Sequence, residues 1–231
     1  MLYSEKEYLQ QSTQSYNNII TTAKQRGLIV NNAQVNRVAK RLIAQVPHYR
    51  ADAANWNWEV NTIRDNEINA FCLSGGKIGV LTGSITKINA TDDELAALIG
   101  HEIAHALRDH GREKVSKKHL TGLGVLAASS AGLGDMVVSG TSLLGDYGVN
   151  LPGSRKLESE ADLLGVDIMV RAGYNPQGAV SFWNKVVAQE KQGTKIDFLS
   201  THPTSEKRIV EIQDYINQNY VGRASSGVIL I

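Results

Sequence analysis

The stretch Ala97–Leu107 reads ALIGHEIAHAL, and it restricts the fold more than any other part of the chain. Two histidines four residues apart, His101 and His105, sit about 40° apart around a helix, close enough to grip one metal ion from the same side. Glu102 projects about 100° from His101, where it can take a proton from water rather than ligate the ion. Ala96, Ala97, Ile99, Ala106 and Leu107 make the helix apolar nearly all round, which predicts that it is buried. Burying His-Glu-His in such a helix costs stability unless the polar groups have partners. The chain must therefore fold other elements that supply them. The bland alternative is a pair of core histidines satisfied by hydrogen bonds.

A catalytic zinc site needs three protein ligands and one open position. His110, five residues past His105, points away from the pair. Arg108 and Gly111 stand where a glycine and a third histidine would complete the HExxHxxGxxH pattern, so that arrangement is excluded. The helix expected over 155–172 offers Glu158, Glu160 and Asp162. At about 100° per residue, Ala161, Asp162, Gly165, Ile168, Met169 and Ala172 fall on the side of Glu158. Glu160 falls with Asp167 and Arg171 on a polar face, where a carboxylate needs no special reason. A carboxylate on the apolar face does need one, so Glu158 is the expected third ligand. Asp162, one turn on, is placed to accept the free ring N–H of a ligand histidine.

Around this centre, 3–26 and 34–47 read as helices, the second with Val35, Val38, Ala39, Leu42 and Val46 on one stripe. Strands are expected over 56–63, 68–73 and 77–82, with Ser74-Gly75-Gly76 as a hairpin turn. Thr91 and Glu94 form a capping box that opens a helix running to about His110, with Gly111 as its stop. Helices follow over 155–172, 175–190 and from Pro203 to about Asn219. The order, three short strands and then helices, predicts a predominantly helical α+β fold with a small antiparallel sheet. Its parts would be a helical extension over 1–50 packed on the core, a catalytic domain over 51–222, and a tail over 223–231.

Twenty-four basic against 23 acidic residues give a net charge of +1, and no dense Lys/Arg cluster suggests a nucleic-acid partner. One cysteine, Cys72, excludes an internal disulfide and a Cys-based structural zinc site. It reads as a small buried hydrophobe, with a redox or metal role as the sharper alternative. No apolar run of about 18 residues predicts a spanning helix. Residues 119–153 are small, apolar and Gly-rich, and read either as a segment packed over the core or as a peripheral membrane contact. The first 18 residues lack the charge and apolar pattern of a signal peptide, with a leader removed upstream as the alternative. Oligomeric state has no signature in the sequence.

HEIAH followed by SRKLESEAD (Ser154 to Asp162) resembles the HExxH plus SRxxExxAD pattern of the HtpX-like and CAAX-prenyl-protease-like zinc metallopeptidases, metallopeptidase family forty-eight. Asn69 to Thr82-Gly83 resembles that family's strand pair, and Thr201-His202-Pro203 with Arg208 and Ile209 its late HP…RI element. The resemblance spans about Asn69 to Ile209. It implies a zincin-like domain holding one Zn²⁺ per chain on His101, His105 and Glu158, with Asp162 orienting and Glu102 as base. It implies a catalytic or gating role for His202, against the bland reading of His202-Pro203 as a helix-entry turn, and pairs Arg208 with acidic groups near the site. The nearest flavour is the small bacterial envelope type, cleaving unfolded or misassembled polypeptides in the periplasm; a cytoplasmic location and a latent or chaperone-like assembly factor are the alternatives. Asn69, Ala70, Lys77, Ile78, Gly79 and Val80 are expected to form a substrate-pairing strand, with a purely structural edge as the other reading. Ser74 stands where many relatives have proline.

Overall fold

The computed structural model describes residues 3–120, 154–194, 196, 198–203 and 206–221. Most of 119–153 and all of 223–231 lie outside these residues. Helix α1 (Glu5–Gln25) opens on a capping box of Ser4 and Glu7. Strand β1 (Ile29–Val30), helix α2 (Ala33–Ile43) and two short 3₁₀ turns (Val46–His48 and Ala51–Asn55) lead to β2 (Glu59–Ile63). The hairpin strands β3 (Ala70–Leu73) and β4 (Lys77–Leu81) follow, then a turn of helix α3 (Gly83–Thr86). Helices α4 (Asp92–Leu107), α5 (His110–Leu120), α6 (Arg155–Arg171), α7 (Gln177–Lys191), α8 (Phe198–Thr201) and α9 (Glu206–Ile216) complete the described chain, with a π turn over Asn217–Val221.

The sheet is mixed rather than antiparallel, in the order β1-β2-β4-β3. The tight β3–β4 hairpin pairs Phe71 with Gly79, and β4 then runs parallel to β2, pairing Val60 with Ile78. The expected edge is therefore corrected. Lys77, Ile78, Gly79 and Val80 are flanked by β2 and β3 on both sides, and the free edge on the hairpin side is β3.

Alternation along the strands divides the interior in two. Ala70, Cys72, Ile78 and Val80 face the main core, shared with α2, α4, α6 and α7. Phe71 and Leu81 face the other way, where α1 covers the sheet with Tyr16, Ile19, Ile20 and Ala23. Every residue of β4 is buried, which explains why its sequence lacks a polar face. The stripe of α2 (Val35, Val38, Ala39 and Leu42) lies in the same core as α4.

Helix α4 runs through the middle of that core, and Glu94 to Leu107 are all buried. Its fully covered Leu95, Leu98, Ile99 and Ile103 each contribute about 1.5–3 kcal/mol by leaving water. The capping box of Thr91 and Glu94 forms, and Glu94 also accepts hydrogen bonds from Ser181 and Lys185, tying α7 to the start of α4. Helices α4 and α6 cross where both carry glycine. A Cβ on Gly165 would lie 2.9 Å from the His101 nitrogen, and one on Gly100 would lie 3.1 Å from the Gly165 oxygen. This close crossing sets the two polar helix faces against each other.

Candidate metal centre

His101 and His105 project from α4 toward Glu158 of α6, and His202 comes in from the end of α8. One ligand atom from each lies within 4.8 Å of the others, and all four residues are buried. His101 Nε2 is 3.0 Å from His105 Nε2, 3.3 Å from Glu158 Oε2 and 3.2 Å from His202 Nδ1. His105 Nε2 is 3.4 Å from Glu158 Oε1, and His202 Nδ1 is 2.9 Å from Glu158 Oε2.

These separations fit a metal ion. Four nitrogen or oxygen atoms at about 2.0–2.1 Å from a tetrahedral ion stand about 3.3 Å from one another. Glu158 Oε1 and Glu102 Oε1 are buried and make no hydrogen bond among the described residues, although such atoms in a folded protein nearly always have partners. Imidazoles with one carboxylate are a donor set suited to a divalent transition-metal ion.

Electrostatics follow from this crowding. Burial alone would raise the Glu158 carboxyl, but the imidazoles of His101, His105 and His202 crowded around it hold it far below the usual carboxylate range. Burial opposes a charge on His101, yet Asp162 and Glu158 outweigh it and raise that ring to about 9. Burial dominates at His105 and pushes it well below its ordinary value. Glu102 is raised by burial, only partly offset by His202 and His101. Its Oε1 lies 3.5 Å from His202 Nε2.

Behind the donors, Asp162 Oδ1 lies 2.9 Å from His101 Nδ1. Arg208 donates from Nε and Nη2 to the two Asp162 oxygens at 2.8 and 2.9 Å, and from Nη1 to the Pro203 carbonyl at 2.6 Å. Its guanidinium carbon sits 4.4 Å from the centre of the Trp183 ring. One cation thus holds both Asp162 and the turn that carries His202.

The cleft in front of these groups is lined by Tyr8, Ala70, Cys72, Glu102, Lys114 and His202, among others. Asn69 gives its carbonyl to the Leu81 amide, so by antiparallel alternation Ala70 and Cys72 turn their backbone polar groups outward. Burial, with the Glu102 charge nearby, pushes the Cys72 thiol well above its ordinary value.

A model of Peptidase family M48 matches residues 30–216. The chain belongs to that family. Relatives within or close to this M48 domain include the mitochondrial metalloendopeptidase OMA1 of Schizosaccharomyces pombe, 37% identical over 83% of this chain and 55% of that protein. The human mitochondrial metalloendopeptidase OMA1 is 33% identical over 70% of this chain and 33% of its own length. The beta-barrel assembly-enhancing protease of Escherichia coli is 27% identical over 80% of this chain and 38% of that protein. The M48 chain spans about half the length, or less, of these relatives.

Two features of the M48 site differ from the helical expectation. Helix α4 stops at Leu107, and Asp109 takes a left-handed conformation (φ 55°) before α5 starts at His110. His110 therefore does not point away: its Nδ1 lies 2.8 Å from His105 Nδ1, and its Nε2 lies 3.1 Å from Glu160 Oε2. Gly111 lies inside α5 rather than stopping a helix, and the Tyr8 hydroxyl packs where a side chain would be. The signal in the sequence is Arg108-Asp109 at the end of the apolar run, since Asp tolerates the left-handed region. Lys114, 3.7 Å from Glu158 Oε1, has no such signal.

Proposed function

We propose that this chain is a zinc-dependent endopeptidase. The observation that carries the reading is the convergence of His101 Nε2 and His105 Nε2, 3.0 Å apart, on the Glu158 carboxylate, whose Oε2 and Oε1 lie 3.3 and 3.4 Å from them respectively, beside a buried Glu102. His101, His105 and Glu158 hold the ion, and Asp162 and Arg208 keep His101 oriented. The ion supplies the Lewis acidity that makes water nucleophilic near neutral pH and polarises a scissile carbonyl.

Glu102 takes the proton from the attacking water and delivers it to the departing amine. His202 Nε2, near Glu102, donates to the oxyanion that develops on the scissile carbonyl. An extended polypeptide adds to the β3 edge through the outward backbone groups of Ala70 and Cys72, which gives recognition tolerant of side-chain sequence. Substrates are unfolded or misassembled polypeptides, and the setting is protein quality control in a bacterial envelope, with a cytoplasmic site as the alternative. The relative named for β-barrel assembly supports the envelope reading. No helix among the described residues is long and apolar enough to cross a membrane.

A second reading, a latent protease acting as an assembly factor, is favoured by one contact. His202 Nδ1 stands 2.9 Å from Glu158 Oε2 and 3.2 Å from His101 Nε2, where it closes the fourth position on an ion.

Casein digestion before and after chelation, followed by zinc readdition, tests the proposal. It requires cleavage that is lost with chelator and restored by one equivalent of zinc. Stoichiometric zinc without cleavage favours the latent reading, and cleavage indifferent to chelation rules out both.

A further inference from the structure

We infer that His110 is a positioning residue for the metal site, setting the tautomer of His105 through a nitrogen-to-nitrogen hydrogen bond. The inference rests on the reading of His105 as a metal ligand.

The chain of protons starts at Glu160. An ionised carboxylate can only accept, so the His110 Nε2 that lies 3.1 Å from Glu160 Oε2 carries a hydrogen. A neutral imidazole with hydrogen on Nε2 has a bare Nδ1. That bare nitrogen lies 2.8 Å from His105 Nδ1, and two facing lone pairs at this distance repel. His105 Nδ1 therefore donates its hydrogen to His110 Nδ1. The His105 Nε2 lone pair is then free and points into the donor cluster, 3.0 Å from His101 Nε2. The opposite tautomer would put a hydrogen at Nε2 and block coordination there.

The surroundings hold the relay in register. His110 is 2% exposed, and Arg108 Nε holds the other Glu160 oxygen at 3.2 Å. The left-handed Asp109 that swings His110 back toward α4 is held by Arg50 Nη1 at 3.2 Å and Arg112 Nη2 at 3.2 Å. Arg50 Nη1 also donates to the Leu107 carbonyl at 3.2 Å. The two ligand imidazoles thus have different supports: His101 meets the Asp162 carboxylate directly, whereas His105 meets a carboxylate through a second imidazole.

Two side chains separate the hydrogen bond from mere packing. In His110→Asn the amide oxygen replaces the Nδ1 acceptor, although the side chain is small. In His110→Gln the amide reaches the Nε2 position and leaves Nδ1 without a substitute, although its bulk is closer to histidine. Competition titrations with zinc and the ligand-field spectrum of the cobalt-loaded protein are read for wild type, both variants and His105→Ala. Thermal melts of the metal-free proteins accompany them. His110→Asn should bind zinc within about threefold of wild type and keep the cobalt spectrum, while His110→Gln should weaken binding about 10–100-fold and alter it. The reverse order, or equal affinities, overturns the inference.

If either variant fails to fold, Glu160→Ala reads the same relay from a residue exposed enough not to disturb the core. It should weaken zinc binding several-fold, and unchanged affinity counts against the relay. Failure of the ligand reading looks different. Wild type then binds no zinc, or His105→Ala binds it as well as wild type does, and the inference falls with it.

Discussion

Asp162 Oδ1 lies 2.9 Å from His101 Nδ1, on a carboxylate that also receives two hydrogen bonds from Arg208. This contact joins α4 to α6 and α9, and it makes the orientation of one candidate ligand depend on a residue more than a hundred positions away in sequence. Asp162→Asn keeps the shape and removes the charge. Zinc affinity should fall about 10–100-fold. The fold should lose about 1–3 kcal/mol, because Arg208 exchanges its closest carboxylate for a neutral amide and keeps the Glu158 charge, 3.5 Å away. Competition titration and urea denaturation measure the two effects separately.

The metal-free protein should lose stability on the alkaline side of neutrality. His101 is raised from 6.5 to about 9 against the pull of burial, by Asp162 and Glu158. A raised histidine contributes stability that is complete below pH 6.5 and lost as the pH climbs through about 9. The depressed Asp162 and Glu158 contribute stability that is present above about pH 4 and lost on acidification. Burial lowers His105 and His110, which costs stability below pH 6.5, so melts after chelation should peak between about pH 6.5 and 7 and lose on the order of 3 kcal/mol by pH 9. Zinc should reverse the alkaline trend, because coordination needs neutral imidazoles. A metal-free melting temperature that rises from pH 6 to pH 9 contradicts this assignment.

The crossing at Gly165 leaves no room for a methyl group beside the His101 backbone. Gly165→Ala should push α6 away from α4 by a few tenths of an ångström and cost about 1–3 kcal/mol. Glu158 and Asp162 move with α6, so zinc affinity should fall too. Chemical denaturation with and without zinc tests this, and the loss should be larger in the loaded protein.

Cys72 should behave as an inert core residue. Its side chain is buried and its thiol is held well above the ordinary value, so little thiolate exists at neutral pH. Iodoacetamide at pH 7.5 should label it slowly in the folded protein and rapidly in denaturant. Fast native labelling would show that the β3 edge opens.

Much of the site is legible because helices write their faces into local spacing. His101 and His105 at i and i+4, and Glu158 and Asp162 on an apolar face, need only the period of 3.6 to be brought out, and the structure buries all four. The Thr91–Glu94 capping box and the Ser74-Gly75-Gly76 turn are equally local. What escapes the sequence depends on contacts between distant segments. Strand order is such a property: β4 has no polar face, but only its pairing with β2 decides that it is interior and that β3 is the edge. His110 escapes for a smaller reason. One left-handed residue, Asp109, breaks the helical phase, and every angle counted beyond it is displaced. Glu160 is read from its helical face as a solvent-side charge; it is half exposed and still anchors His110.

Proteolysis by Glu102→Gln at matched zinc content is the most direct test of the site. Glu102 is 4% exposed and contributes no atom to the ligand cluster, so the amide should leave zinc at one per chain and the fold unchanged. Cleavage of unfolded casein should fall by at least about 100-fold through loss of the proton acceptor. Cleavage at the wild-type rate by the fully loaded variant would contradict the assignment of Glu102 as base and of this cluster as the catalytic centre.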